Sequence, residues 1–206
     1  GTKLVTLTVI DVNGNSSTCN STITIEDNIA PIAACQNITV QLDASGNIAI
    51  TGSQINNGST DACGIASLSV MPNTFDCTNI GGNAVVLTVT DVNGNSSTCN
   101  ATVTVQDNVA PAAVCQNITL FLDGTGNVSM VAADIDGGST DACGIASLAA
   151  SQTAFTCANI GANNVVLTVT DNYGNTSNCT AVVTVLETTT PVAVCQNISI
   201  NLNAAG

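Results

Sequence analysis

Hydrophobic and polar residues alternate over residues 84–105. Val85, Leu87 and Val89 point one way, with Val86, Thr88 and Thr90 opposite. After the turn VNGNS, Cys99, Ala101, Val103 and Val105 share one face, and Thr98, Asn100, Thr102 and Thr104 the other. A period of two marks half-buried strands. Upstream, CQNITVQL (35–42), the turn DASGN and IAIT (48–51) predict a hairpin. GSQINNGSTDA (52–62) predicts a loop, and CGIASLSV (63–70) and TFDC (74–77) two short strands around the breaker MPN. No window of about 12 residues has a helical period. Six or seven short strands in about 80 residues predict a small β-sandwich.

The pattern repeats. The stretch at 86–119 recurs nearly word for word at 6–39 and more loosely at 166–199. Cys19, Cys99 and Cys179 are 80 residues apart, as are Cys35, Cys115 and Cys195, the pair Cys63 and Cys143, and the pair Cys77 and Cys157. About 44 of 80 positions are identical between 31–110 and 111–190. The expected organisation is two complete repeats, 31–110 and 111–190. Residues 1–30 are then the C-terminal part of a preceding repeat and 191–206 the N-terminal part of a following one. This predicts an elongated string cut from a longer array.

Composition narrows the function. Of 206 residues 45% are apolar, but none is Trp, three are Phe and one is Tyr. One Lys, no Arg and no His stand against 14 acidic residues, giving a net charge of −13. Such a surface repels nucleic acid and anionic membranes and favours divalent cations. There is no apolar run of about 18 residues to insert in a membrane, and an export signal is expected upstream. Enzyme chemistry is not expected, since the usual bases and anion stabilisers are missing; Asp134 and Asp136 form the nearest carboxylate pair.

Ten cysteines without a C-x-x-C pair or any His point to disulfides and an extracellular setting rather than to zinc. Four per repeat allow three connectivities. In an elongated array the first and last strands of each repeat run parallel, which sets Cys35 level with Cys99 and Cys115 level with Cys179. The expected inner pairs are then Cys63–Cys77 and Cys143–Cys157. Cys19 and Cys195 are expected to pair outside the given sequence.

The motifs APxAxCQNIT, STDACGIASL, VLTVTDxNGNxSxC and TVTVxDNxAP resemble, in that order, the hyalin-type (HYR) repeat, notably the tandem arrays of large secreted bacterial surface proteins. The resemblance covers both complete and both partial repeats. It implies an immunoglobulin-like β-sandwich, a role in adhesion or as extracellular scaffold, and no catalysis. Many such repeats carry a cysteine early in the second strand; here that cysteine is missing and Cys77 and Cys157 appear instead.

Calcium is the candidate cofactor, at the ends where repeats join. One site would draw on Glu26, Asp27, Asn28, Asp61, Asp91, Asn93 and Asn95. A second would draw on Asp107, Asn108, Asp134, Asp136, Asp141, Asp171 and Asn175. The Asp-Asn-x-x-Pro linker resembles calcium-binding linkers of cadherins in composition, whereas LETTTP (186–191) lacks the Asp-Asn pair. Against this stands the ordinary use of Asp, Asn and Gly in tight turns. Asn-x-Ser/Thr sequons occur at Asn15, Asn20, Asn37, Asn57, Asn95, Asn100, Asn117, Asn127, Asn175, Asn178 and Asn197, and several predict outward positions that suit a glycan. The expected partners are other copies of the repeat, with glycans as candidates; the alternative for the sequons is compositional bias in a bacterial chain that meets no glycosyltransferase. The expected function is a stiff stalk or filament; the alternatives are a carbohydrate- or host-binding module and a spacer in a large secreted enzyme.

Overall fold

A computed structural model describes residues 1–205. The chain divides into two compact units, Gly1–Val109 and the residues from Ala110 on. The first opens with β1 (Thr2–Ile10) and β2 (Ser16–Thr24), paired antiparallel with Leu7 opposite Cys19. Then follow β3 (Ile38–Gln41), β4 (Asn47–Ala49), the one-turn helix α1 (Gly52–Ile55), β5 (Ile65–Met71), β6 (Thr74–Asp76), β7 (Gly81–Asp91) and β8 (Ser96–Gln106).

β3, β8, β7 and β5 form one sheet in that order, and β4 pairs with β6 in a second. The β5–β7–β8 order with a facing β4–β6 pair matches the C-F-G and B-E strands of immunoglobulin domains. The fold is therefore an all-β, immunoglobulin-like sandwich. β3 runs parallel to β8, with Ile38 opposite Val103 and Gln41 opposite Gln106.

The alternation explains the core. Val85, Leu87 and Val89 on β7 and Ala101, Val103 and Val105 on β8 are buried, together with Leu42, Ile50, Ile55, Val70 and Phe75. With one Phe and no Trp among these, the core is built almost wholly of aliphatic side chains.

Two local expectations are corrected. The hairpin over 35–51 does not form. Its turn is present, with Asp43 N–H donating to the Asn47 carbonyl at 3.0 Å, but β3 joins β8 and β4 joins β6. By crossing from one sheet to the other, the chain buries Leu42 and Ile50, each 3% exposed, in the shared core. The loop over 52–62 begins with α1, where Thr51 N–H donates to Gln54 Oε1 at 2.8 Å as a helix cap. The helix seats Ile55 in the core and brings Gly52 against the backbone of Leu68.

The second unit repeats this plan: β9 (Ile118–Phe121), β10 (Asn127–Ser129), a 3₁₀ turn (Ala132–Ile135), β11 (Ile145–Ala150), β12 (Ala154–Thr156), β13 (Gly161–Asp171) and β14 (Thr176–Leu186). β9 lies parallel to β14, Ile118 opposite Val183. Phe155, Leu167, Val169, Val183 and Val185 lead its core. Residues 187–204 carry no regular element. Among the described residues no helix is long and apolar enough to cross a membrane.

Candidate functional site

Each sandwich has a leading end, where the chain enters near Pro31 or Pro111, and a trailing end, where β8 or β14 leaves. At the leading end of the first sandwich, the turn after β7 is built around Asp91. Its carboxylate, 2% exposed, accepts from Asn93 N–H at 2.9 Å, Asn95 N–H at 2.8 Å and Asn95 Nδ2 at 2.7 Å. Gly94, at φ +95°, supplies the left-handed residue that closes the turn. Burial works against ionisation of Asp91, but the Asn95 side chain and the amides of residues 93–95 outweigh it and hold the carboxyl below its usual range.

The same arrangement recurs wherever the sequence reads Asp-x-x-Gly-Asn. Asp11 binds Asn13 and Asn15, Asp171 binds Tyr173 and Asn175, and Asp43 and Asp123 bind the amides of Ser45/Asn47 and Thr125/Asn127. These aspartates organise turns.

The linker at 25–30 reaches the leading end of the first sandwich. Asp27 Oδ2 accepts from Asn93 Nδ2 at 2.8 Å, and its carbonyl accepts from Asn95 Nδ2 at 3.0 Å. Asp27 Oδ1 accepts from Ile29 N–H at 3.0 Å. Asp61, in the loop before β5, accepts from the amides of Cys63 at 2.8 Å and Gly64 at 3.0 Å. Ligand atoms of Asp27, Asp61 and Cys63 lie within 4.8 Å of one another, beside a cleft lined by Ile32 and Thr60.

The Ile29 amide, the Cys63 thiol and the Asn93 amide hold Asp27 below the usual carboxylate range. Conversely, the hydrogen bond to Asp27 and its charge push the Cys63 thiol up, with smaller contributions from burial, Asp61 and Asp91.

The structure therefore gathers Asp27, Asp61, Asn93 and Asn95 from the first expected set, while Asp91 serves its own turn and Glu26 and Asn28 are exposed. In the second unit, Asp134 Oδ2 accepts from Val131 N–H at 2.8 Å as a turn cap, and Asp136 accepts from Ser139 N–H and Oγ at 3.0 and 2.6 Å. Asp141 accepts from Cys143 N–H at 2.8 Å. Cys63, unforeseen as a neighbour of the acidic pair, was signalled only by its place two residues after Asp61.

The sequons also separate. Asn15, Asn95 and Asn175 spend their amide nitrogens on Asp11, Asp91 and Asp171. Asn37 and Asn117 brace the last strand through Thr102 N–H at 2.8 Å and Val182 N–H at 2.7 Å. Asn20, Asn57, Asn100 and Asn178 are exposed, as are Asn15, Asn127 and Asn197.

Cys35 is bonded to Cys99 and Cys115 to Cys179, each spanning 64 residues. The inner pairs Cys63–Cys77 and Cys143–Cys157 are not formed. Cys63 and Cys157 are free thiols, and Cys77 and Cys143 are disulfide-bonded. The reason is distance. Cys63 sits at the leading end, where Gly64 accepts from Val92 N–H at 3.1 Å. Cys77 sits at the trailing end, its Sγ 3.8 Å from the Gly46 carbonyl oxygen. The 11-residue strand β7 separates them, roughly 33 Å at the rise of a strand, against about 4.4–6.8 Å between the Cα atoms of a disulfide.

No protein-family model matches the sequence, and no curated protein matches it. Among solved structures, the chain is similar to protocadherin gamma B7 extracellular cadherin domains 1–4, with 12% identity, 91% of this chain and 58% of that one covered and a TM-score of 0.40. It is also similar to protocadherin gamma C5 EC1–3 (13% identity, 89% and 77% covered, TM-score 0.38). Titin domains I67–I69 give 9% identity, 90% and 75% covered and a TM-score of 0.34. The chain spans 58% and 37% of the length of the two gamma B protocadherin structures B7 and B4.

Proposed function

We propose that the chain is a load-bearing segment of an extracellular structural and adhesive array of hyalin-type repeats. The observation that carries this reading is the placement of Cys35–Cys99 and Cys115–Cys179. Each bond ties the start of a sandwich to its last strand, which runs parallel to the first. Tension entering at Cys35 crosses directly to Cys99 and leaves along β8, and the residues between the two cysteines stand outside the covalent load path. Extension of a repeat is then limited to the short stretch from Cys99 to Cys115. Such a unit suits a stalk or filament whose partners are further copies of itself. Disulfides, sequons and the high apolar content fit a secreted, non-catalytic surface protein of the kind found in bacterial arrays. Pulling single molecules from both ends, before and after reduction, tests the load path.

Within this reading, Ca²⁺ is held at the leading end by the Asp27 and Asp61 carboxylates. Carbonyls of the linker and water would complete the six to eight oxygens it takes, and the protonated Cys63 thiol would lie outside its coordination. A melting temperature raised by Ca²⁺ and lowered by EDTA supports this; a curve indifferent to both removes the cation and leaves the load path intact.

A further inference from the structure

Of the four free cysteines, Cys63 and Cys157 are the two that lie inside the complete repeats 31–110 and 111–190. Both are exposed free thiols, yet the residues 80 positions away that occupy the same places in the repeat, Cys143 and Cys77, are each disulfide-bonded. Within a repeat the two places are at opposite ends of the sandwich. Cys157 lies at the trailing end of the second, where its Sγ is 3.7 Å from the Gly126 carbonyl oxygen. Cys143 lies at the leading end, its carbonyl accepting from Asn172 Nδ2 at 2.8 Å. Between them runs β13, 11 residues long. Neither position can be satisfied from within its own sandwich, in the first unit or the second.

We infer that Cys63 and Cys157 are the two halves of a repeat-to-repeat disulfide: a trailing-end cysteine of the Cys157 type bonds a leading-end cysteine of the Cys63 type in another copy of the repeat. The complementarity is directional, since one kind of cysteine is found at each end. Copies are thereby joined head to tail, whether the next copy lies on the same polypeptide or another.

The chemistry is thiol–disulfide exchange with a low-molecular-weight disulfide. One protein thiolate attacks it and releases a small thiolate, leaving a mixed disulfide. The second protein thiolate attacks the protein sulfur of that mixed disulfide and expels the other small thiolate. Two protein thiols are oxidised to one disulfide, the small disulfide is reduced to two thiols, and the two protons lost by the protein end on those small thiols.

This deepens the load-bearing reading and rests on it for its purpose, but its test is separate. The full chain carrying C19S and C195S, which removes the two other free thiols, is concentrated with oxidised glutathione and run on a non-reducing gel. A ladder of dimers, trimers and longer species is expected. Peptic digestion and mass spectrometry should place Cys157 of one molecule on Cys63 of the next. Adding either C63S or C157S should abolish the ladder, and mixing those two proteins should yield dimers only. Circular dichroism and an intact Cys35–Cys99 peptide check that each variant is folded. A ladder that survives either substitution, homotypic Cys63–Cys63 or Cys157–Cys157 links, a Cys63–Cys157 link within one molecule, or no linkage at all would overturn the inference. None of these outcomes alters what pulling across Cys35–Cys99 reports.

Discussion

Replacing Cys35 and Cys99 by Ser should nearly unfold the first sandwich while leaving the second intact. The bond closes a loop with a sequence separation of 64 residues, and the chain-entropy estimate for that length is about 4 kcal/mol. A sandwich of this size has only about 4–12 kcal/mol to lose at the usual ~0.05–0.15 kcal/mol per residue. Its core, with Phe75 as the one buried aromatic residue, places it toward the lower part of that range. Hydrogen exchange read peptide by peptide resolves the effect. Amides of β7 and β8 should exchange about a thousandfold faster in the variant, the rate equivalent of about 4 kcal/mol. Those of β13 and β14, behind the intact Cys115–Cys179 bond, should be unchanged. A change below tenfold in β7–β8 would show that the staple contributes little and that the core suffices, contrary to the reasoning. Equal acceleration in both units would show that they do not unfold separately.

Other perturbations probe the remaining features. The carboxyls of Asp91 and Asp171 are held low in the fold, so their stabilisation is fully present above the unfolded value, about 3.9. It is lost as pH falls through the folded values. Thermal melts should be flat from neutral pH to about 5 and fall below about 4, and D91N should weaken that acid dependence for the first unit. D27N removes the largest influence raising the Cys63 thiol, so alkylation of Cys63 at mildly alkaline pH should accelerate while that of Cys157, the internal reference, stays constant. An unchanged Cys63 rate would refute the assigned contact. Gly52→Ala places a Cβ 2.7 Å from the Leu68 carbonyl carbon and oxygen and should cost about 1–3 kcal/mol in urea unfolding. Gly124→Ala meets nothing within 4 Å and should stay within about 0.5 kcal/mol.

The strands β7 and β8 are legible residue by residue, because strict alternation leaves one register that buries Val85, Leu87, Val103 and Val105. The parallel approach of β3 to β8 follows from how each repeat begins and ends, and it sets Cys35 beside Cys99. The crossing between β3 and β4 is hidden, since an Asp-x-x-Gly-Asn turn looks the same whether the flanking strands pair or part. The acidic residues mislead for a related reason. Asp91 and Asn95 are the composition of a cation site, yet their spacing with Gly94 between them is that of a self-satisfied turn, and its five occurrences were readable as such. The inner cysteine pairing fails because it depends on which end of an 11-residue strand each residue occupies, and local sequence says nothing of that for Cys77, on its 3₁₀ turn.

The most direct measurement of the central claim is single-molecule stretching of the chain with its disulfides intact and then reduced. With Cys35–Cys99 and Cys115–Cys179 closed, each 64-residue loop is withheld from extension. Unfolding steps as long as a whole repeat should be missing. On reduction each unit should gain about 210–230 Å of contour length, the reach of that many residues at ~3.3–3.6 Å each. Full-length steps already present in the oxidised molecule would contradict the account, because the load would then run through the sandwich rather than around it.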